Sequence, residues 1–102
     1  MRWMLTGDSF DAAEAHRIGL VQEVVPHGKQ FDRGLELARR IAAQAPLAVQ
    51  ATLASARLAL REGDAAVEEK LQSELVRLAA TEDAAIGMRA FLTRQPAEFV
   101  GR

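Results

Sequence analysis

Residues 11–26, DAAEAHRIGLVQEVVP, contain signals for a helix, a turn and a strand within one short stretch. Asp11 is a good N-cap, and Glu14 three positions later completes a pair that resembles a capping box. Gly19 predicts that the helix ends in the left-handed region. Residues 20–25 are rich in β-branched side chains and precede a proline, which predicts a strand. Because one strand cannot pair its own edges, we expect its partner in an assembly or in a larger protein.

From Lys29 onward the apolar residues follow a helical period. This pattern predicts helices at about 30–45 and 47–61, with Pro46 ending the first and beginning the second. The second is apolar on nearly all sides, which is typical of a helix sandwiched between other elements. Thr81 is a candidate cap for a last helix.

Between these segments, Gly63 predicts the end of one helix and Asp64 the cap of the next. We expect that helix to bury one stripe of side chains: Val67, Leu71, Leu75 and Leu78. The apolar residues 3–5, followed by Gly7, resemble the end of a helix. The predicted fold class is therefore mainly α, with four to five helices and one short strand.

Composition excludes several functional classes. The 102 residues include 13 basic and 14 acidic side chains, for a net charge of −1, so no broad charge favours nucleic acid or an anionic membrane. Cysteine is absent, which excludes disulfides and thiolate chemistry and fits a reducing, cytoplasmic location. The first ten residues lack the apolar core of a signal peptide. The longest uncharged run, residues 41–56, is too short to span a membrane.

Metal and nucleophile chemistry find little support in the sequence. His16 and His27 are the two histidines, and no His or Asp lies at a helical metal-ligand spacing from either. Ser9, His16 and Asp11 could be drawn as a triad, but no nucleophile elbow surrounds the serine. No glycine-rich phosphate loop is present. A helix-turn-helix is disfavoured because the segment after Gly19 is β-branched and ends in proline.

Acidic residues at 69–83 could in principle serve as paired carboxylates. Glu69 and Glu74 are better explained as members of a solvated helix face. Glu82 and Asp83 fall in the first turn of the last helix, where the helix dipole favours negative charge.

Three patches, in order along the chain, resemble the enoyl-CoA hydratase/isomerase (crotonase) family. They are LTGDSFDAAEAHRIGLVQEVVP at 5–26, ELARRIAAQAPLAVQATL at 36–53 and TEDAAIGMRAFLTRQPAEFVGR at 81–102. The resemblance covers only the C-terminal part of the family. It implies the C-terminal helical region of a crotonase-like α/β fold, with residues 1–28 as the end of the core and residues 29–102 as a helical cap and oligomerisation domain.

The resemblance also implies an activity, hydration of 2-enoyl-CoA thioesters of the fatty acid β-oxidation type. In the family the oxyanion hole and catalytic acids lie N-terminal to the matched stretch, so we expect this chain to be inactive alone. Hydration is not distinguished from isomerisation, and the acyl-chain length is not specified. The implied partners are an N-terminal crotonase core, acyl-CoA as substrate and further copies in a trimer or dimer of trimers. No separate cofactor, nucleic acid or membrane is implied.

Two residues carry over as possible contacts to the CoA nucleotide of a neighbouring subunit. They are Phe91, whose ring could lie against adenine, and Arg94, whose cation could pair with phosphate. The alternatives are core packing of Phe91 and a solvated helix-end role for Arg94. Leu53 stands where the family often has lysine, and Ile86 where it often has an acidic residue, so neither charge is available here. A different class of function stays open, a stand-alone helical homo-oligomerisation module without catalysis.

Overall fold

A computed structural model describes residues 1–102 and contains six helices and no strand. In chain order they are α1 (Arg2–Thr6), α2 (Ala12–Arg17), α3 (Gln30–Ala42), α4 (Pro46–Glu62), α5 (Asp64–Ala79) and α6 (Glu82–Thr93). The mainly helical fold class is confirmed. Backbone contacts divide the chain into two compact units, residues 1–36 and residues 37–102. None of the helices has the length and apolar composition needed to cross a lipid bilayer.

The predicted strand at residues 20–25 does not form. A β-ladder requires a second strand to exchange backbone hydrogen bonds, and the chain contains none. The segment instead runs as irregular backbone within the first unit. There Glu23 pairs with Arg33, whose Nε lies 2.9 Å from Oε1 of the carboxylate. The preference of β-branched residues for strands is therefore not realised without a partner.

Helix α2 has the ends that its sequence predicts. The Asp11 carboxylate accepts a hydrogen bond from the Glu14 backbone N–H at 2.8 Å. Gly19 adopts φ +76°. Its N–H donates to the His16 carbonyl at 3.1 Å, and the next N–H donates to the Ala15 carbonyl at 2.9 Å. This pair of bonds is a Schellman motif, in which a left-handed glycine satisfies the last helical carbonyls.

The N-terminal residues form a helix of their own, which raises the helix count above the four to five expected. Helix α1 ends at Gly7, with φ +71°. The ring centroids of Trp3 and Phe10 lie 4.9 Å apart. The Arg2 guanidinium carbon lies 4.7 Å from the Trp3 ring centroid, within the range of a cation–π contact.

In the second unit, α4 and α5 form a helical hairpin and α6 packs against α5. Pro46 occupies the first turn of α4, where its missing N–H leaves no bond unmade. Gly63, at φ +86°, ends α4 and also serves as the N-cap of α5. Asp64 therefore lies in the first turn of α5, and its predicted role as the cap is wrong. Thr81 caps α6 as expected, accepting a hydrogen bond from the Ala84 N–H at 3.1 Å.

The chain buries very little of its apolar surface. Ala15 and Asp83 are its two buried residues. The stripe expected to be buried on α5 is incompletely covered, since Leu71 and Leu75 are half exposed. The extensive contact of α5 with α4 and its smaller contact with α6 leave the middle of the stripe partly open to water.

The Schellman turn provides a direct test of local stability. Gly19→Ala places a Cβ on a left-handed residue and should lower the free energy of unfolding by about 1 kcal/mol. Gly34→Ala is the matched control, because Gly34 lies inside α3 and its added Cβ would meet no atom within 4 Å. That control should be neutral or stabilising, by up to about 1 kcal/mol. Urea unfolding followed by circular dichroism measures both; equal losses would contradict the assignment.

Candidate functional site

The two residues carried over from the family lie at the end of α6. The Thr81 cap and the acidic residues of the first turn stabilise the start of this helix. At the other end, Arg94 adopts a left-handed conformation with φ +56° and ψ +35°. Its N–H donates to the carbonyl oxygen of Phe91 at 3.4 Å, and the Gln95 N–H donates to that of Ala90 at 3.1 Å. Phe91 thus lies on the last turn of α6, and Arg94 is the left-handed residue that directly follows the helix.

Phe91 is not part of a core in this chain. Its side chain is 80% exposed, and Met88 and Leu92 on the same helix are also mostly exposed. Phe91 and Leu92 follow Met88 by three and four positions, which places both next to Met88 on one face of α6. We call residues 88, 91 and 92 the apolar face of α6. A face of this kind requires a partner or ligand from outside the chain to remove it from water.

Arg94 is exposed, and its guanidinium makes no hydrogen bond or ion pair within the chain. Two other arginines of unit 2 are paired, Arg77 with Glu74 at 2.9 Å and Arg102 with Glu82 at 2.7 Å, whereas Arg89 on α6 is unpaired like Arg94. The five donors of Arg94 are therefore available to a planar or tetrahedral anion. Together with Phe91, they give this end of α6 one aromatic ring and one unpaired cation.

The two positions at which this chain differs from the family's usual residues, Leu53 and Ile86, also lie in unit 2. Leu53 is half exposed on α4. Ile86 lies on α6 and lines an open groove of about 410 Å³ together with Arg89 and Pro96. An acidic residue at position 86 would lie one helical turn from Arg89, at a spacing that allows an ion pair. With isoleucine in its place, the groove wall is apolar at that point.

The remaining candidates do not form a reactive cluster. His16 and His27 are exposed, and no three His, Asp or Glu side chains approach closely enough to hold a metal ion. Asp11 is engaged as the cap of α2, which removes it from a triad with Ser9. Glu74 pairs with a cation one turn away, and the hydrogen bond from Arg77 lowers the pKa of Glu74. Asp11 and Glu74 therefore have structural partners rather than reactive ones.

Asp83 has a role that the sequence analysis missed. The expectation was a first-turn residue that interacts with the helix dipole, yet the side chain is only 3% exposed. Its two carboxyl oxygens accept hydrogen bonds from the N–H groups of Val100, at 2.7 Å, and Gly101, at 3.0 Å. No local pattern predicts these bonds, which join residues 17 and 18 positions apart. The sequence contains two signals of a folded tail near the C-terminus, namely Phe99 and Gly101.

Comparison with known proteins identifies the family. The sequence profile of the enoyl-CoA hydratase/isomerase family matches residues 1–102. The chain belongs to this family. Its relatives include enoyl-CoA hydratase EchA19 of Mycobacterium tuberculosis, 38% identical, with 97% of this chain and 37% of the relative aligned. Another is 2,3-dehydroadipyl-CoA hydratase of Escherichia coli, 37% identical over 99% of this chain and 40% of the relative.

The solved structures agree with this assignment. The crystal structure of a probable enoyl-CoA hydratase/isomerase from Mycobacterium abscessus is 62% identical and superposes with a TM-score of 0.95. The match covers 100% of this chain and 40% of that chain. The chain therefore spans about 40% of the length of its relatives, which is consistent with the C-terminal portion inferred from the sequence.

The exposure of Phe91 can be tested by its effect on stability. Phe91→Ala should change the free energy of unfolding by less than about 0.5 kcal/mol, because the ring makes few contacts within the chain. Leu78→Ala is the control, since Leu78 is half-buried between α4 and α6 residues. We expect that substitution to cost more, about 1–2 kcal/mol. A loss at Phe91 equal to that at Leu78 would show that the ring packs within the chain.

Proposed function

We propose that this chain is the C-terminal helical region of an enoyl-CoA hydratase-like enzyme that hydrates 2-enoyl-CoA thioesters. In this role it caps the active site and helps to form a trimer. Family membership and the 40% span of the relatives support the placement. The observation that carries the proposal is the low burial: apolar side chains along α4, α5 and α6 lack cover within the chain.

Phe91 and Arg94 are proposed as contacts to the CoA nucleotide, supplied to a neighbouring subunit. Support comes from the exposed ring and the unpaired guanidinium at one end of α6. The two relatives named above are called hydratases of different acyl-CoA compounds, enoyl-CoA and 2,3-dehydroadipyl-CoA. CoA is the part that both names have in common. A segment that contacts the nucleotide can therefore be common to enzymes that differ in acyl specificity.

A second candidate is a helical homo-oligomerisation module without catalysis. The same exposed apolar surface favours it, because identical chains could cover one another's faces. The two candidates differ in what completes the site. A hydratase segment needs the family's N-terminal region, whereas an oligomerisation module needs only its own copies.

An activity assay separates the two candidates. We expect the 102-residue chain alone to show no hydration of crotonyl-CoA above the blank. The family's oxyanion donors lie N-terminal to the matched stretch, and such donors each contribute roughly 3–4 kcal/mol to the chemistry. Mixed with the N-terminal region of the Mycobacterium abscessus relative, it should restore turnover and sediment as a trimer. Turnover by the chain alone would refute the prediction. A stable oligomer that never restores turnover would favour the non-catalytic module.

The nucleotide contact can be tested in the reconstituted enzyme. Arg94→Gln should raise KM for crotonyl-CoA about tenfold, because a charge-assisted bond to phosphate is lost. kcat should stay close to its original value, since the change affects binding remote from the thioester. Arg89→Gln, which removes a different cation of the same helix, should leave KM unchanged. Equal effects of the two substitutions would refute a specific role for Arg94.

A further inference from the structure

The C-terminal strap, defined as residues 95–102, folds back along α6 and is bound at its far end. Asp83 accepts hydrogen bonds from the Val100 and Gly101 N–H groups, and its own N–H donates to the Arg102 carbonyl at 3.0 Å. The Arg102 side chain adds an ion pair with Glu82. Asp83 is buried with the strap in place, so each of its carboxyl oxygens depends on a strap N–H for its hydrogen bond. The strap is therefore anchored at the first turn of α6.

Close packing accompanies these hydrogen bonds. The Phe99 ring lies over Gly87, so that a Cβ on that glycine would be 3.6 Å from the nearest ring carbon. Gly101 adopts φ +81°, and a Cβ there would be 3.6 Å from Cγ of Pro46. The strap thus packs between the middle of α6 and the start of α4. These contacts determine the path that the chain takes after α6 ends.

To follow that path the chain must reverse direction at the end of α6, and Arg94 makes the reversal. It is the only residue other than glycine with a positive φ. A side chain in the left-handed region is strained relative to glycine, and such a conformation persists only where the surroundings enforce it. The strap leaves Arg94 at one end and is anchored by Asp83 at the other. The anchor can therefore enforce the strained turn, together with the two backbone hydrogen bonds made there by the Arg94 and Gln95 N–H groups.

We propose that Asp83 is a positioning residue that holds Arg94 in its left-handed conformation by anchoring the C-terminal strap. The coupling between the Asp83 anchor and the conformation of Arg94 is inferred from the contacts within unit 2 described above. Its functional meaning rests on the proposed function, in which Arg94 meets the CoA nucleotide. The strap then determines the direction in which the guanidinium leaves the end of α6.

Amide hydrogen exchange on the 102-residue chain tests the coupling. Asp83→Asn replaces one acceptor with an NH₂ group that faces the strap donors. We expect it to remove the protection of the Val100 and Gly101 amides and to lower that of Gln95 about tenfold. The strong intraresidue amide–Hα NOE that a positive φ gives at Arg94 should weaken. Glu82→Gln, which removes only the outer ion pair, should leave the Gln95 protection and the NOE unchanged.

A second substitution distinguishes coupling from general loss of structure. Glycine adopts the left-handed region without strain, so in an Arg94→Gly background the turn does not require the anchor. Adding Asp83→Asn there should again release Val100 and Gly101 but change Gln95 protection by less than about twofold. Equal loss at Gln95 in both backgrounds would overturn the proposal. Unprotected Val100 and Gly101 amides in the original chain, or no loss at Gln95 in Asp83→Asn, would also overturn it.

The kinetic consequence separates this inference from the proposed function. In the reconstituted enzyme, Asp83→Asn should raise KM for crotonyl-CoA at least threefold with little change in kcat. In an Arg94→Gln background, adding Asp83→Asn should not raise KM further, because the contact that Asp83 positions is already lost. If the exchange results hold and neither substitution changes KM, the positioning of Arg94 stands and the nucleotide contact fails. If Arg94→Gln raises KM but the exchange coupling is absent, the proposed contact stands and the role of Asp83 fails.

Discussion

Helix α4 presents apolar side chains on nearly all of its faces, and within the chain only α5 packs extensively against it. Removal of apolar surface from water is the main favourable term in folding, so faces without cover limit what unit 2 can stabilise alone. Leu60 on α4, Val76 on α5 and the apolar face of α6 remain exposed. Exposed apolar faces of this kind, together with family membership, support the proposal that the segment completes a larger enzyme.

Where apolar packing is limited, specific polar contacts define the structure of unit 2. The carboxyl group of Asp83 holds two backbone N–H groups of the strap, and buried acceptors with such partners are costly to disturb. The strap in turn continues from the strained turn at Arg94. A buried residue at the start of α6 is thereby connected to an exposed residue at its end. The connection concerns backbone geometry, and it requires no movement of the helix between them.

Both units follow local rules closely at the helix ends. Asp11, Gly19, Pro46 and Thr81 all act as their sequence positions predict, because a cap is satisfied by atoms only a few residues away. The family could likewise be identified from three ordered patches and is confirmed by comparison with the whole profile. Phe91 and Arg94 could be named from the resemblance, but their contact with a nucleotide stays a prediction.

The sequence by itself thus determined the helical class, most helix ends and the family, since each rests on short-range patterns of caps, glycines and apolar period. Tertiary structure decided three other matters. Residues 20–25 are irregular because a strand exists only through its partner. The α5 stripe is half exposed because burial depends on which helices are adjacent. Asp83 binds the strap because residues distant in sequence meet there, and no local propensity encodes such a meeting.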